Sequence, residues 1–245
     1  MIHYGLIGHP LSHSFSKQYF TEKFIREDIR DTVFENYDLQ TIEELKPLLN
    51  SGKNIKGLCV TIPYKEKVIS FLDNSSDAVK QIGACNSIKI VDGKLFGNNT
   101  DAIGFKKSLV SKLLPTHRKA LILGTGGSSK AVAYVLIQLG IEYKFVTRSL
   151  EVTNSINYDQ LTHEDIAQNN LIINCTPVGM YPNINDSPSL PYNAITKDHY
   201  LFDLTYNPAE SLFLQKGKQR GSIIQNGYDM LIYQAEASWE IWNND

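Results

Sequence analysis

The sequence lacks three features that would each assign a protein to a broad class: a basic excess, a long apolar run and a paired set of cysteines. Among 245 residues, 24 are Lys or Arg and 26 are Asp or Glu, for a net charge of −2, so no basic surface for nucleic acid is expected. No apolar run approaches the roughly 20 residues of a membrane span. The first residues lack the basic and apolar regions of a signal peptide. We therefore expect a cytoplasmic protein with no nucleic-acid or membrane partner.

Cysteine is scarce as well. Cys59, Cys85 and Cys175 lie in apolar stretches without metal-ligand spacing, and an odd number of buried thiols fits a reducing compartment. His9 and His13 are four residues apart, but the sequence between them, which includes Pro10, argues against a helix that would hold a metal. The sequence therefore predicts no metal site.

The most informative segment is a strand–turn–helix–strand pattern at residues 119–148. An apolar strand ends at a glycine-rich turn, and a helical pattern follows at once. Bare backbone N–H groups at a helix N-terminus suit a pyrophosphate. Ser129 occupies the third glycine position of the usual fingerprint. An ordinary loop needs only one glycine, so we predict a dinucleotide site that includes Gly124, Thr125, Gly126, Gly127 and Ser128.

The residues after the second strand of this pattern bear on the cofactor. A site for NAD would place Asp or Glu there to bind the ribose hydroxyls, whereas this chain has Thr147, Arg148 and Ser149. A guanidinium with two small hydroxyls suits a 2′-phosphate, so NADP is the expected cofactor. The alternative interpretation of Arg148 is a solvated charge at a strand end.

Strand and helix signals alternate along the chain, which is typical of an α/β protein. The expected strands lie at 4–7, 33–39, 58–62, 86–90, 94–96, 121–123, 143–146, 171–175, 201–203 and 223–224. A first helical pattern is expected after the polar loop at 12–16 and runs to about residue 27. Further helical patterns are expected at 41–49, 65–72 and 102–114, after the glycine-rich turn and at 228–242. Asp92-Gly93 predicts a hairpin turn. The length allows one large domain or two modest ones.

Polar side chains collect where the expected strands end, the edge at which open α/β sheets bind ligands. They are Ser14, Ser16, Thr61, Lys65, Asn86, Thr100 and Asp101. Hydroxyls, an amide, an ammonium and a carboxylate suit a small polyhydroxylated acid. Each also has a structural interpretation: Ser14, Ser16 and Asp101 as helix caps, Asn86 as the start of a hairpin and Lys65 as a charge on a helix face.

Several motifs occur in an order that resembles one known family. They are Gly8-His9-Pro10, Val60-Thr61-Ile62-Pro63-Tyr64-Lys65, Gly83-Ala84-Cys85-Asn86-Ser87, Gly97-Asn98-Asn99-Thr100-Asp101, Gly124-Thr125-Gly126-Gly127, Thr147-Arg148-Ser149, Asn174-Cys175-Thr176-Pro177-Val178-Gly179-Met180, Asn226-Gly227 and Gln234-Ala235. Together they cover nearly the whole chain and resemble the shikimate dehydrogenases, NADP-dependent enzymes of aromatic amino acid biosynthesis that interconvert 3-dehydroshikimate and shikimate.

The resemblance implies two α/β domains around a cleft. Residues 1–101 and 227–245 would bind substrate, residues 102–226 would form a Rossmann-type NADP domain, and the C-terminal helix would return to the first domain. It further implies a catalytic pair and a set of ligand-binding residues. The pair is Lys65 and Asp101; the substrate residues also include Ser14, Ser16, Thr61, Asn86, Tyr206 and Gln234; further cofactor residues are Thr176, Leu204, Gly227 and Asp77.

Three departures from the family pattern leave the strength of the preference for NADP over NAD open. Thr147 replaces the usual Asn, Val152 stands where a second basic residue is common, and the segment 149–159 is too short for a helix usual there. The sequence also leaves open the exclusion of quinate and the oligomeric state, for which a homodimer is one option.

Three other functions stay open. One is a quinate/shikimate dehydrogenase that uses NAD, against which Arg148 argues. A Schiff-base lyase could use Lys65 as its amine, but the glycine-rich turn would then have no role. A non-catalytic nucleotide sensor would need neither Lys65 nor Asp101.

Overall fold

The computed structural model describes residues 1–11, 14–149 and 152–244. The chain forms two compact units, Met1–Ile103 with Gln234–Asp245, and Gly104–Tyr233. The sequence placed the domain boundaries a few residues earlier, at 101/102 and 226/227. The assignment of substrate to one domain and cofactor to the other stays a proposal.

Strands and helices alternate through both units. The strands are β1 (Ile2–Gly8), β2 (Thr32–Asp38), β3 (Asn54–Val60), β4 (Asn74–Ser75), β5 (Ser87–Val91), β6 (Lys94–Asn98), β7 (Lys119–Leu123), β8 (Glu142–Thr147), β9 (Ser155–Asn157), β10 (Leu171–Asn174), β11 (Tyr200–Asp203) and β12 (Ile223–Gln225). The α-helices are α1 (Phe15–Arg26), α2 (Leu45–Leu49), α3 (Asp77–Ile82), α4 (Thr100–Val110), α5 (Gly127–Gln138), α6 (His163–Gln168), α7 (Leu212–Gln219) and α8 (Tyr228–Asn243). Short 3₁₀ helices lie at Ile42–Glu44, Lys67–Phe71, Tyr158–Gln160 and Tyr192–Ala194.

The first unit is built on a mixed sheet in the order β2-β1-β3-β5-β6-β4. β1 is parallel to β2 and β3, whereas β3 and β6 both pair antiparallel with β5. Successive side chains point to opposite faces of a strand. Tyr4 and Leu6 therefore join one core cluster with Phe20 of α1, while Ile7 joins a second cluster on the other face.

The C-terminal part of α8 packs in the first of these clusters. Trp242 is 4% exposed, and its ring stacks on that of Tyr4 with the centroids 5.1 Å apart. A Cβ atom built on Gly57 of β3 would come within 2.4 Å of the same indole ring. A residue without a side chain at 57 is therefore needed for the end of α8 to lie against β3.

The second unit is a parallel sheet in the order β12-β11-β10-β7-β8-β9. Counted from β7, this is the 3-2-1-4-5-6 order of the Rossmann fold, so the expected fold class is correct. The strand order reverses between β7 and β10, the position at which such sheets bind ligands. β7 and β10 are apolar almost throughout, as strands covered on both faces must be.

The helices differ from the expectation in several places: α3, α6 and α7 are not among the expected helices, and two expected helices have other bounds. The helix predicted at 65–72 is only the 3₁₀ helix Lys67–Phe71, and Lys65 lies in the turn before it. Its hydrogen bonds include contacts to the residue three positions back, as from Ile69 N to Glu66 O at 3.3 Å. The helix predicted at 102–114 is α4, Thr100–Val110. None of the helices in the described part of the chain combines the length and the apolarity needed to cross a bilayer.

Candidate active site

A lysine and an aspartate that are far apart in the sequence meet in the first unit. Lys65 Nζ donates to Asp101 Oδ2 at 2.7 Å, and the two side chains are 17% and 11% exposed. Lys65 lies in the turn after β3, and Asp101 lies in the first turn of α4. The pair is thus partly desolvated, which strengthens the attraction between the charges, while the lysine still reaches solvent.

Asn86 holds the second oxygen of this carboxylate. Its Nδ2 donates to Asp101 Oδ1 at 2.9 Å and to Thr100 Oγ1 at 3.0 Å, and its Oδ1 accepts from Thr100 N at 2.6 Å. Asn86 is 3% exposed and directly precedes β5. Asp101 is therefore fixed from two sides, by an ammonium and by an amide.

Further hydrogen bonds fix the turn that carries Lys65 and the start of the helix that carries Asp101. The carbonyl oxygen of Lys65 accepts from Cys85 N at 2.7 Å, which ties the turn after β3 to the residue before Asn86. Asn99 Oδ1 accepts from Ala102 N at 3.0 Å, so Asn99, and not Asp101, caps α4. The cap predicted for Asp101 is wrong because α4 begins at Thr100, so Asp101 lies inside its first turn and Asn99 is the residue that precedes the helix.

The serine loop, Ser14 to Ser16, runs into the start of α1: Ser14 directly precedes the helix and Ser16 lies in its first turn. Ser14 Oγ accepts from Lys17 N at 3.1 Å, which confirms its interpretation as a helix cap. Ser16 lies close to the buried thiol of Cys59: burial, and next the charge of Asp101, raise the pKa of this thiol to about 12, while a hydrogen bond with Ser16 opposes the rise. His13 and Ser12 lie outside the described residues.

Thr61 and Gln234 lie in the same unit as Lys65. Thr61 is half-buried directly after β3, and a Cβ on Gly8 would come within 2.4 Å of its methyl group. Gln234 is 7% exposed on α8, one turn before Ser238, whose hydroxyl is 2.9 Å from Thr100 Oγ1. Residues four apart share one face of a helix, so α8 presents Gln234 on the side that meets the start of α4.

The glycine-rich turn of the second unit fits a dinucleotide. Gly124 has φ +95°, a conformation that favours glycine, and a Cβ there would come within 2.9 Å of Thr176. In the described part of the chain, and apart from the two neighbouring residues, no atom lies within 4 Å of a Cβ built on Gly126. α5 begins at Gly127, directly after Thr125 and Gly126, and the first N–H groups of a helix have no acceptor within the helix itself. Ser128, in the first turn of α5, is partly exposed.

The residues after β8 form a small hydroxyl-stabilised turn. Thr147 is 6% exposed, and its Oγ1 accepts from Ser149 N at 3.1 Å, while Arg148 between them is exposed. The side chain of Thr147 therefore accepts from the backbone N–H two residues ahead, a hydrogen bond that an Asn side chain can also make. Val152 is partly exposed, and the described residues between β8 and β9 contain no helix.

Leu204 and Gly227 are in direct contact. A Cβ on Gly227 would come within 2.1 Å of the carbonyl oxygen of Leu204, and Gly227 N donates to Thr205 O at 3.1 Å. Tyr206, two residues after Leu204, is 38% exposed. Asp77 lies in the first unit at the start of α3, where its exposed carboxylate is 3.5 Å from Lys80.

Two polar residues at strand ends escaped the sequence reasoning, Asn174 at the end of β10 and Asp203 at the end of β11. Both are 0% exposed, and Asn174 Nδ2 donates to Asp203 Oδ1 at 3.0 Å. Burial raises the pKa of Asp203 to about 6, against opposing hydrogen bonds from Ser211, Thr205 and Asn174. The signal in the sequence that could have identified Asn174 and Asp203 is the polar residue at the end of each of these two apolar strands.

Comparisons with known proteins agree with this arrangement. Residues 6–88 match the family model of the shikimate dehydrogenase substrate binding domain. The NADP+-dependent shikimate dehydrogenase of Methanococcus vannielii is 38% identical over an alignment of 258 positions, which covers 97% of this chain and 90% of that protein. The enzyme of the same description from Clostridium beijerinckii is 37% identical over 249 residues, 98% of this chain and 91% of that protein.

A solved structure gives the same result in three dimensions. The shikimate 5-dehydrogenase of Thermus thermophilus, in complex with NADP(H) and shikimate, is 29% identical and has a TM-score of 0.88, with 100% of this chain and 94% of that chain covered. Similarity of sequence over nearly the full length and similarity of fold thus point to one family. The chain belongs to the shikimate dehydrogenase family.

Proposed function

We propose that this protein catalyses the reversible, NADPH-dependent reduction of 3-dehydroshikimate to shikimate in the biosynthesis of aromatic amino acids. The observation that supports the proposal most directly is the pairing of Lys65 with Asp101 at 2.7 Å, with Asn86 holding the second carboxylate oxygen. This is an acid–base constellation at the end of a strand, and it accompanies a Rossmann unit in the same chain. A nucleotide sensor would have no need of it.

Lys65 would act at the carbonyl group that is reduced. An ammonium has three donors, and Asp101 accepts from one of them, so the group can also donate to a substrate oxygen. Negative charge develops on that oxygen during reduction, and Lys65 would stabilise the charge and supply the proton. Asp101 would keep the ammonium in place and accept a hydrogen bond from a neighbouring ring hydroxyl.

The residues present fit NADP. The first turn of α5 and the glycines at 124, 126 and 127 would hold the pyrophosphate, and the exposed Arg148 would bind the 2′-phosphate. Thr176, Leu204 and Gly227 would lie along the nicotinamide half, with Asp77 the least supported contact. When bound, NADPH supplies the hydride.

The remaining site residues would orient the substrate. The hydroxyls of Ser14 and Ser16 would bind the carboxylate, and Thr61 and Asn86 would bind ring hydroxyls. Gln234 and Tyr206 would complete the set. Support comes from the position of these side chains: each of them except Tyr206 lies in the unit that contains Lys65, and Asn86 contacts Asp101 directly.

A homodimer in the cytoplasm completes the proposal. Cys59, Cys85 and Cys175 are free thiols, as expected in a reducing compartment. Sedimentation at micromolar concentration tests the dimer, and a species with the mass of one chain, 27.6 kDa, would contradict it.

A two-substrate, two-cofactor assay tests the function. The purified protein is incubated with shikimate or quinate and with NADP or NAD, and the absorbance of the reduced nicotinamide is followed. We expect the highest kcat/KM with shikimate and NADP. Equal use of NAD would favour the quinate/shikimate alternative. Absence of nicotinamide reduction, combined with trapping of a substrate adduct on Lys65 by borohydride, would replace the proposal with the Schiff-base lyase.

A further inference from the structure

The carboxyl ends of β10 and β11 share a buried polar pair that the proposed reaction does not use. Asn174 and Asp203 are register partners on the two adjacent parallel strands. Neither side chain has measurable exposure, and Asn174 Nδ2 donates to Asp203 Oδ1 at 3.0 Å. A buried carboxylate is uncommon, and the side chains that hydrogen-bond to this one, those of Asn174, Thr205 and Ser211, carry no charge.

Each member of the pair also holds the chain that follows it. Asn174 Oδ1 accepts from Thr176 N at 3.0 Å and from Thr176 Oγ1 at 2.6 Å, and the carbonyl oxygen of Asn174 accepts from Leu204 N at 2.9 Å. Asp203 Oδ1 accepts from Thr205 N at 3.0 Å, and its Oδ2 accepts from the hydroxyl of Ser211. Two loops, 176–180 and 204–207, are therefore fixed to one pair of side chains.

We propose that Asn174 and Asp203 are positioning residues, which hold Thr176, Leu204 and Tyr206 in the arrangement needed for nicotinamide and substrate. The inference rests on the proposed function, because that function gives these three residues their ligands. Neither member of the pair contacts the ligands in this proposal. They act by setting the backbone of both loops.

The chemistry of the pair explains why these residue types stand there. Three of the donors that the surrounding chain presents to position 203 are an amide N–H, a side-chain NH₂ and a hydroxyl. A carboxylate has only acceptors, so it accepts from all three. Asparagine at 203 would still accept from Asn174 and Thr205 through its oxygen, while its NH₂ would donate to the Ser211 hydroxyl, which can also accept. Leucine has no acceptor in its side chain, so all three donors would lose the partner that they have in the native protein.

The experiment compares Asp203→Asn, Asp203→Leu and a matched destabilised control, Ile166→Ala. Ile166 is fully buried in the core of the same unit, and it lies on α6, away from both loops in sequence. For each variant, kcat and KM are measured for shikimate and for NADP. Amide hydrogen exchange in 176–180 and 204–207 and calorimetric binding of NADP are measured as well, and neither needs turnover.

We expect Asp203→Asn to keep kcat within about threefold of wild type. Asp203→Leu should lower kcat/KM for NADP at least about tenfold, which corresponds to a loss of about 1.4 kcal/mol. It should also speed amide hydrogen exchange in both loops. Ile166→Ala should lower the melting temperature but leave loop exchange and KM near wild type. If Asp203→Leu changes loop exchange and KM no more than Ile166→Ala does, the positioning role is refuted.

A failure of the proposed function gives a different pattern. If the protein does not oxidise shikimate, kcat is unmeasurable in every variant, including wild type. Amide hydrogen exchange in the loops and calorimetric binding of NADP can then still be compared. They differ between Asp203→Leu and Ile166→Ala if the pair positions the loops, and they do not differ if it does not.

Discussion

Removal of the Lys65 ammonium gives the sharpest test of the candidate active site. If Lys65 stabilises charge that is present only in the transition state, Lys65→Ala should lower kcat much more than it raises KM for shikimate. We expect a loss of at least about 10²-fold in kcat, the lower end for acid–base assistance. Lys67→Ala is the matched control, because Lys67 is an exposed lysine two residues further on.

The structure also predicts how Asp101 contributes. Its two oxygens accept from Lys65 at 2.7 Å and from Asn86 at 2.9 Å. An asparagine has one oxygen, so in Asp101→Asn the new NH₂ must face one of these two donors. Asp101→Asn therefore loses one hydrogen bond as well as the negative charge, and kcat should fall although the shape is kept.

The size of the coupling follows from the contact. A hydrogen bond to a charged group contributes about 1.5–3 kcal/mol, and each 1.36 kcal/mol is a factor of ten in rate. The kcat of the double variant Lys65→Ala/Asp101→Asn should therefore be about 10- to 150-fold higher than the value expected if the two single effects were independent and multiplied. The 17% and 11% exposure of the side chains makes the lower part of this range the better expectation, because water weakens the pair.

The assay is the oxidation of shikimate with saturating NADP, followed at the absorbance of the reduced nicotinamide. Urea unfolding of each variant establishes that the compared proteins are folded. A Lys65→Ala variant with near wild-type kcat and only a raised KM would make Lys65 a binding residue. Independent effects in the double variant would show that Asp101 does not act through Lys65.

Three further predictions concern the cofactor, the serine loop and pH. Arg148→Ala should raise KM for NADP about 10- to 100-fold and leave KM for NAD unchanged, because one charge-assisted contact is lost; an equal effect on both cofactors would contradict this. Ser14→Ala and Ser16→Ala should both raise KM for shikimate, but only Ser14→Ala should also lower the free energy of unfolding, by about 1 kcal/mol, since Ser14 caps α1 through Lys17 N; unchanged KM in both variants would reduce the loop to a structural role. Burial lowers the pKa of His117, so the unfolded chain binds a proton more readily than the native chain does, and unfolding free energy is lost as the pH falls below about 6.5. In urea titrations His117→Asn should flatten this loss; identical slopes would show that His117 becomes charged in the native protein.

Local signals in the sequence were enough to predict the βαβ element of the second unit, but not β9, α6 or α7. An apolar strand, a glycine turn and a helix determine one βαβ element, and the positive φ of Gly124 at +95° shows why glycine is needed. The hairpin at Asp92-Gly93 is confirmed by positive φ at both residues, 50° and 74°. The resemblance to a family is confirmed over 97% of the chain. The roles of the individual site residues stay predictions.

What the sequence could not show depends on contacts between distant segments. The pair of Asn174 and Asp203 exists only because β10 and β11 are neighbours in register, which their separation of 29 residues does not reveal. The sequence predicts the cap of α4 at Asp101 because it places the start of the helix at 102, whereas α4 begins at Thr100. Asn99 precedes the helix, and its Oδ1 accepts from Ala102 N.

For Asn86, a structural interpretation and the proposed substrate-binding role need not compete. It directly precedes β5, as the hairpin interpretation requires, and its carbonyl oxygen accepts from Val60 N at the end of β3 at 2.8 Å. The same backbone position places its amide group between Thr100 and Asp101. Because the turn that carries Lys65 is bonded to Cys85, the lysine, the amide and the carboxylate are fixed by one short stretch of sheet. The geometry of the Lys65–Asp101 pair thus depends on the end of β3 and the start of β5, which meet here. If the pair is catalytic as proposed, a change that shifts β5 relative to β3 should lower kcat even though it touches neither Lys65 nor Asp101.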